Sequence, residues 1–283
     1  MQLFIDSANK EEIKNALSWG IIDGITTNPS LIKKEVERLK SLGKSIDLDG
    51  YIKNLLELAG KNVPVSLEVT ASDAAGMIEQ GTSLFKTYNS IAGNVVVKIV
   101  MNTYVGDGFE GIKAINALSK QGIPVNATLI FTPEQALLAA KAGAAYVSPF
   151  AGRIDDYLRE LNTINFDKND YFPADGWSIE DDLDGDEVID DEGIVSGVDL
   201  IENIVSLFRT HKMSCKIIAA SLRNNRQVRE VALAGATIAT VPYQVLIAMT
   251  KHVKTKEGME KFSADVVPEY ATLLDNLCKK QHH

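Results

Sequence analysis

The chain has 283 residues, 45% hydrophobic and 24% charged, enough apolar material for one large core and within the range of a single α/β barrel. No apolar run approaches the roughly 18 residues of a membrane span, and the start, Met1-Gln2-Leu3-Phe4-Ile5-Asp6, lacks the basic and long apolar regions of a signal peptide. Of the 38 acidic residues, eleven lie between Asp170 and Glu192, which leaves 27 against 29 basic ones; a near-neutral body with no basic stripe excludes a nucleic-acid binder.

Short apolar runs alternate with longer amphipathic ones. In chain order the pattern predicts a strand over residues 3–6, a helix over 10–19, strands over 24–26 and 63–69, and a helix over 72–88. A strand over 95–100, a helix over 111–120, a strand over 124–129, a helix over 133–142 and a strand over 145–150 follow. Thr132-Pro133-Glu134-Gln135 marks one helix start, with a capping hydroxyl and Pro at the first helical position, and Gly143 marks its stop. Helices over 199–211 and 225–234 and strands over 214–220 and 237–241 complete the series. Eight strands alternating with helices predict a closed (β/α)8 TIM barrel, with a doubly wound open sheet as competitor. Residues 1–283 read as one barrel domain, carrying an acidic insertion at 162–195 in the sixth helical region. An extra C-terminal helix at 255–280 would lie across the barrel or dock on another subunit. Cys215, in an expected core strand, and Cys278 make no disulfide framework, which suits a reducing cytoplasm.

In a barrel, functional side chains project from the C-terminal ends of several strands. Lys98 is the one charged residue in Val95-Val96-Val97-Lys98-Ile99-Val100, a run apolar on both faces. Burial there disfavours its ammonium form, and a neutral amine is what Schiff-base chemistry requires. A lysine paired with a buried carboxylate, or reaching past the strand end to water, fits the same run. Asp6 ends the first strand, Thr26 the second, and Glu68 nearly ends the third. Asn126 and Thr128 share one face of the fifth strand; Ser148 and Phe150 share one face of the sixth. Asp6 equally suits capping of the helix at Lys10 or neutralising Lys98, and the hydroxyls and amides suit satisfying backbone groups at strand ends. Ser221-Leu222-Arg223 lies just ahead of a helix after the seventh strand, where barrels often hold phosphate. Arg153, after the sixth strand, can reach the same place, and surface charge is the alternative for each arginine.

The run Asp23-Gly24-Ile25-Thr26-Thr27-Asn28-Pro29-Ser30-Leu31-Ile32 resembles the first signature of the transaldolase family. Later motifs agree in order: a Lys in a Val-rich strand, Asn126-x-Thr128, Ser148-Pro149-Phe150-x-Gly152-Arg153-Ile154, and Ser221-x-Arg223. The resemblance implies a barrel enzyme moving a dihydroxyacetone unit from a ketose phosphate to an aldose phosphate. It assigns the imine to Lys98, general acid/base work at the C4 hydroxyl to Asp6, and the proton-shuttling water to Glu68 and Thr128. It gives the sugar to Asn28, Asn126 and Ser148 with Thr26 close by, and the phosphate to Arg153, Ser221 and Arg223. No metal or organic cofactor is implied, and homo-oligomers are. Fructose-6-phosphate aldolases, which release free dihydroxyacetone, share the fold and the lysine but tend to carry Gln at the place of Glu68 and Tyr at that of Phe150; both residues here favour the transferase. The stretch Val100-Met101-Asn102-Thr103 departs from the family, which usually has a small residue or Pro and then Ser or Thr.

Glu180-Asp181-Asp182-Leu183-Asp184-Gly185 spaces its oxygens like a calcium loop, but Glu187 stands where an apolar residue is usual and Asp191 where Glu is. The insertion therefore reads as a solvated acidic excursion, partly ordered by Phe166, Tyr171, Phe172 and Trp177, beginning down the barrel flank and kept from the mouth by charge. A barrel without catalysis, binding through this insertion, is the rival of another class.

Overall fold

In a computed structural model, which describes residues 1–181 and 185–280, the eight expected strands pair in parallel and close on themselves. Around the barrel the order is β1 (Gln2–Asp6), β2 (Gly24–Thr26), β3 (Val65–Glu68), β4 (Val95–Val100), β5 (Val125–Ile130), β6 (Tyr146–Pro149), β9 (Lys216–Ala219) and β10 (Ile238–Val241), with β10 back against β1. The competitor open sheet is thereby excluded. β7 (Ser178–Asp181) and β8 (Gly185–Val188) form a separate antiparallel pair inside the insertion. The calcium-loop spacing falls in part on residues 182–184, outside the described residues.

Helices follow the strands: α1 (Lys10–Ser18), α2 (Pro29–Ser41) and α3 (Leu48–Ala59), α4 (Ala74–Ala92), α5 (Glu110–Lys120), α6 (Pro133–Ala142), α7 (Ala151–Leu161), α8 (Gly197–Thr210), α9 (Asn225–Leu233) and α10 (Tyr243–Ala248). Their caps explain their starts. Asn9 accepts the Glu11 amide, Asn28 the Leu31 amide, Thr132 the Gln135 amide, and Asn224 the Gln227 amide. Gly93 and Gly143, both at positive φ, stop α4 and α6. Val97, Ile99, Val125, Ala127 and Val147 turn outward from the strands into a core completed by Met77, Ile115, Leu118, Ala139, Leu158 and Ile204.

Several boundaries differ from those expected. Phe150 lies one residue past β6, where it bridges in parallel to Ala220 and caps α7. Cys215 precedes β9 and is half-buried. The single C-terminal helix is two, α11 (Val253–Ala264) and α12 (Pro268–Lys280), because Pro268 opens a new helix and cannot continue one. The chain divides into two compact units, Met1–Val245 and Leu246–His283. Within the second, Tyr270, Leu273, Leu274 and Leu277 recur at helical spacing along α12 and are exposed. No helix among the described residues is long and apolar enough to cross a membrane.

The base of the insertion is ordered by packing. Phe172 is 1% exposed in the core, with Ile189 and Ile194 beside it. Arg159 of α7 is buried under it, its guanidinium 4.7 Å from the Phe166 ring and 5.1 Å from the Phe172 ring and donating to the Asp170 carbonyl. Trp177 is 42% exposed, its ring centred 6.1 Å from that of Phe172. The first leg of the insertion also returns to α9: the Tyr171 hydroxyl donates to Glu230, Arg226 lies 3.7 Å over the Tyr171 ring, and Asn224 donates to the Asn169 carbonyl. It is thus not confined to the lower flank of the barrel.

Candidate active site

Register places the chemistry. Asp6, Thr26 and Ser66 are in-register neighbours on β1, β2 and β3; Glu68, Lys98 and Asn126 are in-register neighbours on β3, β4 and β5. In-register residues of parallel strands point to the same side of the sheet, and Ser66 and Glu68, two apart, share it. Both rows therefore face the barrel interior near the C-terminal ends of the strands. A cavity of about 170 Å³ opens there, walled by Asp6, Thr26, Asn28, Lys98, Ser148, Phe150, Arg153, Ser221 and Arg223, with Ala220 and Thr240. Glu68, Asn126 and Thr128 do not line this wall.

Lys98 is 4% exposed. Its Nζ stands 3.0 Å from Glu68 Oε2 and donates to the Thr27 carbonyl at 3.1 Å. The buried partner carboxylate is present, and the same nitrogen also lines the cavity. The Phe150 ring, centred 6.0 Å from Nζ, covers it on the side of α7.

Asp6 does not cap α1, a task done by Asn9. Its Oδ1 accepts from the Thr26 hydroxyl at 2.7 Å, and since that proton is committed, the Thr240 hydroxyl donates to Thr26 in turn. Burial raises the Asp6 pKa above the ordinary carboxylate value; the Thr26 hydrogen bond and the Lys98 charge pull it down, and Glu68 pushes it up. A carboxyl so shifted takes up a proton more readily than an ordinary carboxylate, as acid/base work requires.

A second chain runs beneath the cavity. Ser148 donates to Asn126 Oδ1 at 2.7 Å, and Asn126 Nδ2 donates to Ser66 at 3.2 Å, fixing the amide's orientation. Thr128 Oγ1 is buried and has no hydrogen-bond partner among the described residues, a costly state for a hydroxyl unless something else meets it. Asn28 spends Oδ1 on the cap of α2, leaving its amide NH2 as the group it can offer to the cavity.

At the other end, three basic or hydroxyl groups converge. The Arg153 guanidinium lies 5.1 Å over the Phe150 ring. Arg223 Nη2 donates to Asp156 at 2.7 Å and Nε to the Ser221 carbonyl at 3.3 Å. Ser221 itself has φ of 61°, the left-handed region. Gly152 permits this: a Cβ there would overlap the Ser221 carbonyl oxygen and crowd Arg223 Nε. Two arginines and a hydroxyl thus gather on the wall of one cavity.

Sequence reasoning missed Thr240, Ser66, Asp155, Asp156 and Gln227. Thr240 and Ser66 follow from inward alternation on strands already recognised. Asp155 and Asp156 stand among the apolar residues of α7, Ile154 and Leu158, so buried carboxylates were open to notice.

The family described as transaldolase/fructose-6-phosphate aldolase matches over residues 3–281. A protein of Caldicellulosiruptor saccharolyticus named probable transaldolase is 43% identical over 268 residues, 94% of this chain and 96% of its own. Others of that name, from Aquifex aeolicus and Exiguobacterium sibiricum, are 41% and 40% identical, covering 95% and 94% of this chain and 99% and 97% of theirs. With the signature runs lying where the cavity is walled, and with relatives aligned over nearly the full length, the chain belongs to the transaldolase/fructose-6-phosphate aldolase family.

Proposed function

We propose that the protein is a transaldolase that moves a dihydroxyacetone unit from sedoheptulose 7-phosphate or fructose 6-phosphate to an aldose phosphate, through an imine on Lys98. The observation that carries the reading is one buried amine, 3.0 Å from Glu68, in the same cavity as the protonation-shifted carboxyl of Asp6. Glu68 takes a proton from Lys98, whose nitrogen adds to the ketose carbonyl; the carbinolamine then loses water, with Glu68 and Thr128 holding the water that relays protons. Asp6 removes the C4 hydroxyl proton, the C3–C4 bond breaks, and its electron pair enters the protonated imine to give an enamine. The released aldose leaves. The enamine carbon adds to the carbonyl of the incoming aldose, Asp6 returns its proton to the new alkoxide, and water frees the product from Lys98.

Asn28, Asn126 and Ser148, with Thr26, are assigned to the sugar, and Arg153, Ser221 and Arg223 to its phosphate, whose binding energy orients the distant reacting carbon. Phe150 favours transfer over release, because its ring brings no hydroxyl beside Lys98 Nζ to help water reach the imine. The reading carries with it a cytoplasmic setting, which the two unpaired cysteines suit, and a homo-oligomer, which the exposed apolar stripe of α12 suits.

Borohydride added with fructose 6-phosphate should leave a stable three-carbon adduct on the peptide containing Lys98. An adduct on another lysine, or none, would reject the assignment. Rapid free dihydroxyacetone without an acceptor would favour the aldolase instead.

A further inference from the structure

Arg223 is held from two sides by groups that do not line the cavity. Its side chain donates to Asp156 Oδ2, in an ion pair largely shielded from water, and its backbone amide donates to Gln227 Oε1 at 2.7 Å. Gln227 is 1% exposed and reaches in the other direction as well, its Nε2 donating to Asp155 Oδ2. Asp155 Oδ1 accepts the Gly197 amide at 2.7 Å, at the start of α8. The close approach of α8 to α7 that this bond needs is possible because residue 197 is glycine; a Cβ would overlap the Ala151 backbone.

The polarity of this chain is determined throughout. An ionised Asp155 only accepts, so Gln227 must turn its NH2 toward it and its carbonyl oxygen toward the Arg223 amide. A protonated Asp155, or an asparagine there, brings a donor to a place where Gly197 and Gln227 already donate. Relief by flipping Gln227 sets its NH2 against the Arg223 N–H.

We propose that Asp155, Gln227 and Asp156 are positioning residues for the oxyanion end of the site: the first two fix the backbone of Arg223 and the third its guanidinium, so that its remaining N–H groups point at the anion. This rests on the assignment of a phosphate to Arg153, Ser221 and Arg223. Burial raises the Asp155 carboxyl to about 6, against the pull of the Gly197 and Gln227 hydrogen bonds and of Arg159, with Asp156 adding to the rise. Arg159 and Asp156 are its charged neighbours on α7; α8 and α9 turn toward it the amides of Gly197 and Gln227. The positioning chain therefore holds above about pH 6 and fails as pH drops through that value.

The probe is sulfate, a dianion across the pH range used, titrated calorimetrically into the full-length protein. Wild-type affinity should fall as pH is lowered from 7.5 to 5, midway near 6. Protonation of Asp6 would remove a negative charge from the cavity wall and strengthen sulfate binding, so a fall on acidification cannot come from it. Gln227→Leu and Asp156→Asn should weaken sulfate at pH 7.5 about ten-fold or more, the size expected on losing a charge-linked hydrogen bond. Asp155→Asn should be weak at every pH, with no midpoint. Arg223→Leu should abolish binding. In the transfer assay the Gln227 and Asp156 variants should raise KM for fructose 6-phosphate while kcat stays within about three-fold, a split that general loss of structure would not give.

Wild-type affinity that is flat or rises on acidification overturns the proposal, and that arm needs no variant to fold. Sulfate that fails to bind, or that binds Arg223→Leu as well as wild type, overturns it too. The expected sulfate results with no transfer activity would reject the proposed reaction and leave the positioning role standing.

Discussion

Asn28 has two tasks and divides them between its two side-chain atoms. Oδ1 caps α2 through the Leu31 amide at 2.9 Å, and the residue walls the cavity beside Asp6 and Lys98. The two tasks separate by substitution. Asn28→Asp keeps an oxygen for the cap, so stability should stay within about 0.5 kcal/mol, since Asp and Asn cap equally well. It loses the NH2 donor and brings a second anion near Asp6, so kcat/KM for the ketose phosphate should fall by at least about ten-fold. Asn28→Ala should lose activity and about 1 kcal/mol of stability together. Thermal melts and steady-state kinetics on both variants decide it; an Asp variant that melts well below wild type contradicts the division. Lys98, Asp6 and Glu68 were legible because a charged residue in an apolar strand, or at its end, breaks a pattern. Gln227 breaks none: its importance is a contact between elements distant in sequence, 72 residues from Asp155.

At the scale of elements, the barrel was legible because its strands are buried on both faces and read as continuous apolar runs, while its helices alternate. The run Val95–Val100 matches β4 end to end, as Pro133–Ala142 matches α6 between its marked cap and its glycine stop. Where the reading went astray, the local signal was ambiguous. The apolar stripe continues through Pro268, hiding the break between α11 and α12. The insertion's composition advertised solvation, yet its base is core. Phe172, buried against α7 and stacked with Arg159, should behave as a core residue despite its acidic surroundings. Phe172→Ala is expected to cost about 3–5 kcal/mol in urea unfolding. Trp177→Ala, removing a partly exposed ring that meets Phe172 on one side, should cost less, about 1–2 kcal/mol. Equal costs would mean the base of the insertion contributes no packing to the barrel.

For the molecule as a whole, buried carboxyls set an unusual pH dependence. Surface carboxylates such as Asp49, Asp107 and Glu110 are held below their ordinary values by lysine partners or backbone amides, so the stability they give is present above those values and lost in acid. Asp6 and Asp155 are shifted the other way, both by burial. For Asp155, between its ordinary 3.8 and about 6 the folded state holds a proton that the unfolded state has released. Unfolding free energy from this group therefore falls as pH rises through that window and levels off above it. At about 1.4 kcal/mol per pH unit the full fall is about 3 kcal/mol, which is the cost of keeping an ionised Asp155 to orient Gln227. Asp155→Asn does not titrate. The difference in unfolding free energy, variant minus wild type, should therefore move in the variant's favour by about 2 kcal/mol between pH 4 and 7, whatever the variant loses at a fixed pH through its misplaced donor. Every other titrating group is common to both proteins, so the comparison isolates this one, and urea unfolding at four or five pH values measures it. A difference that stays flat across the window would mean that Asp155 is not shifted upward, and that its ionisation costs the fold nothing.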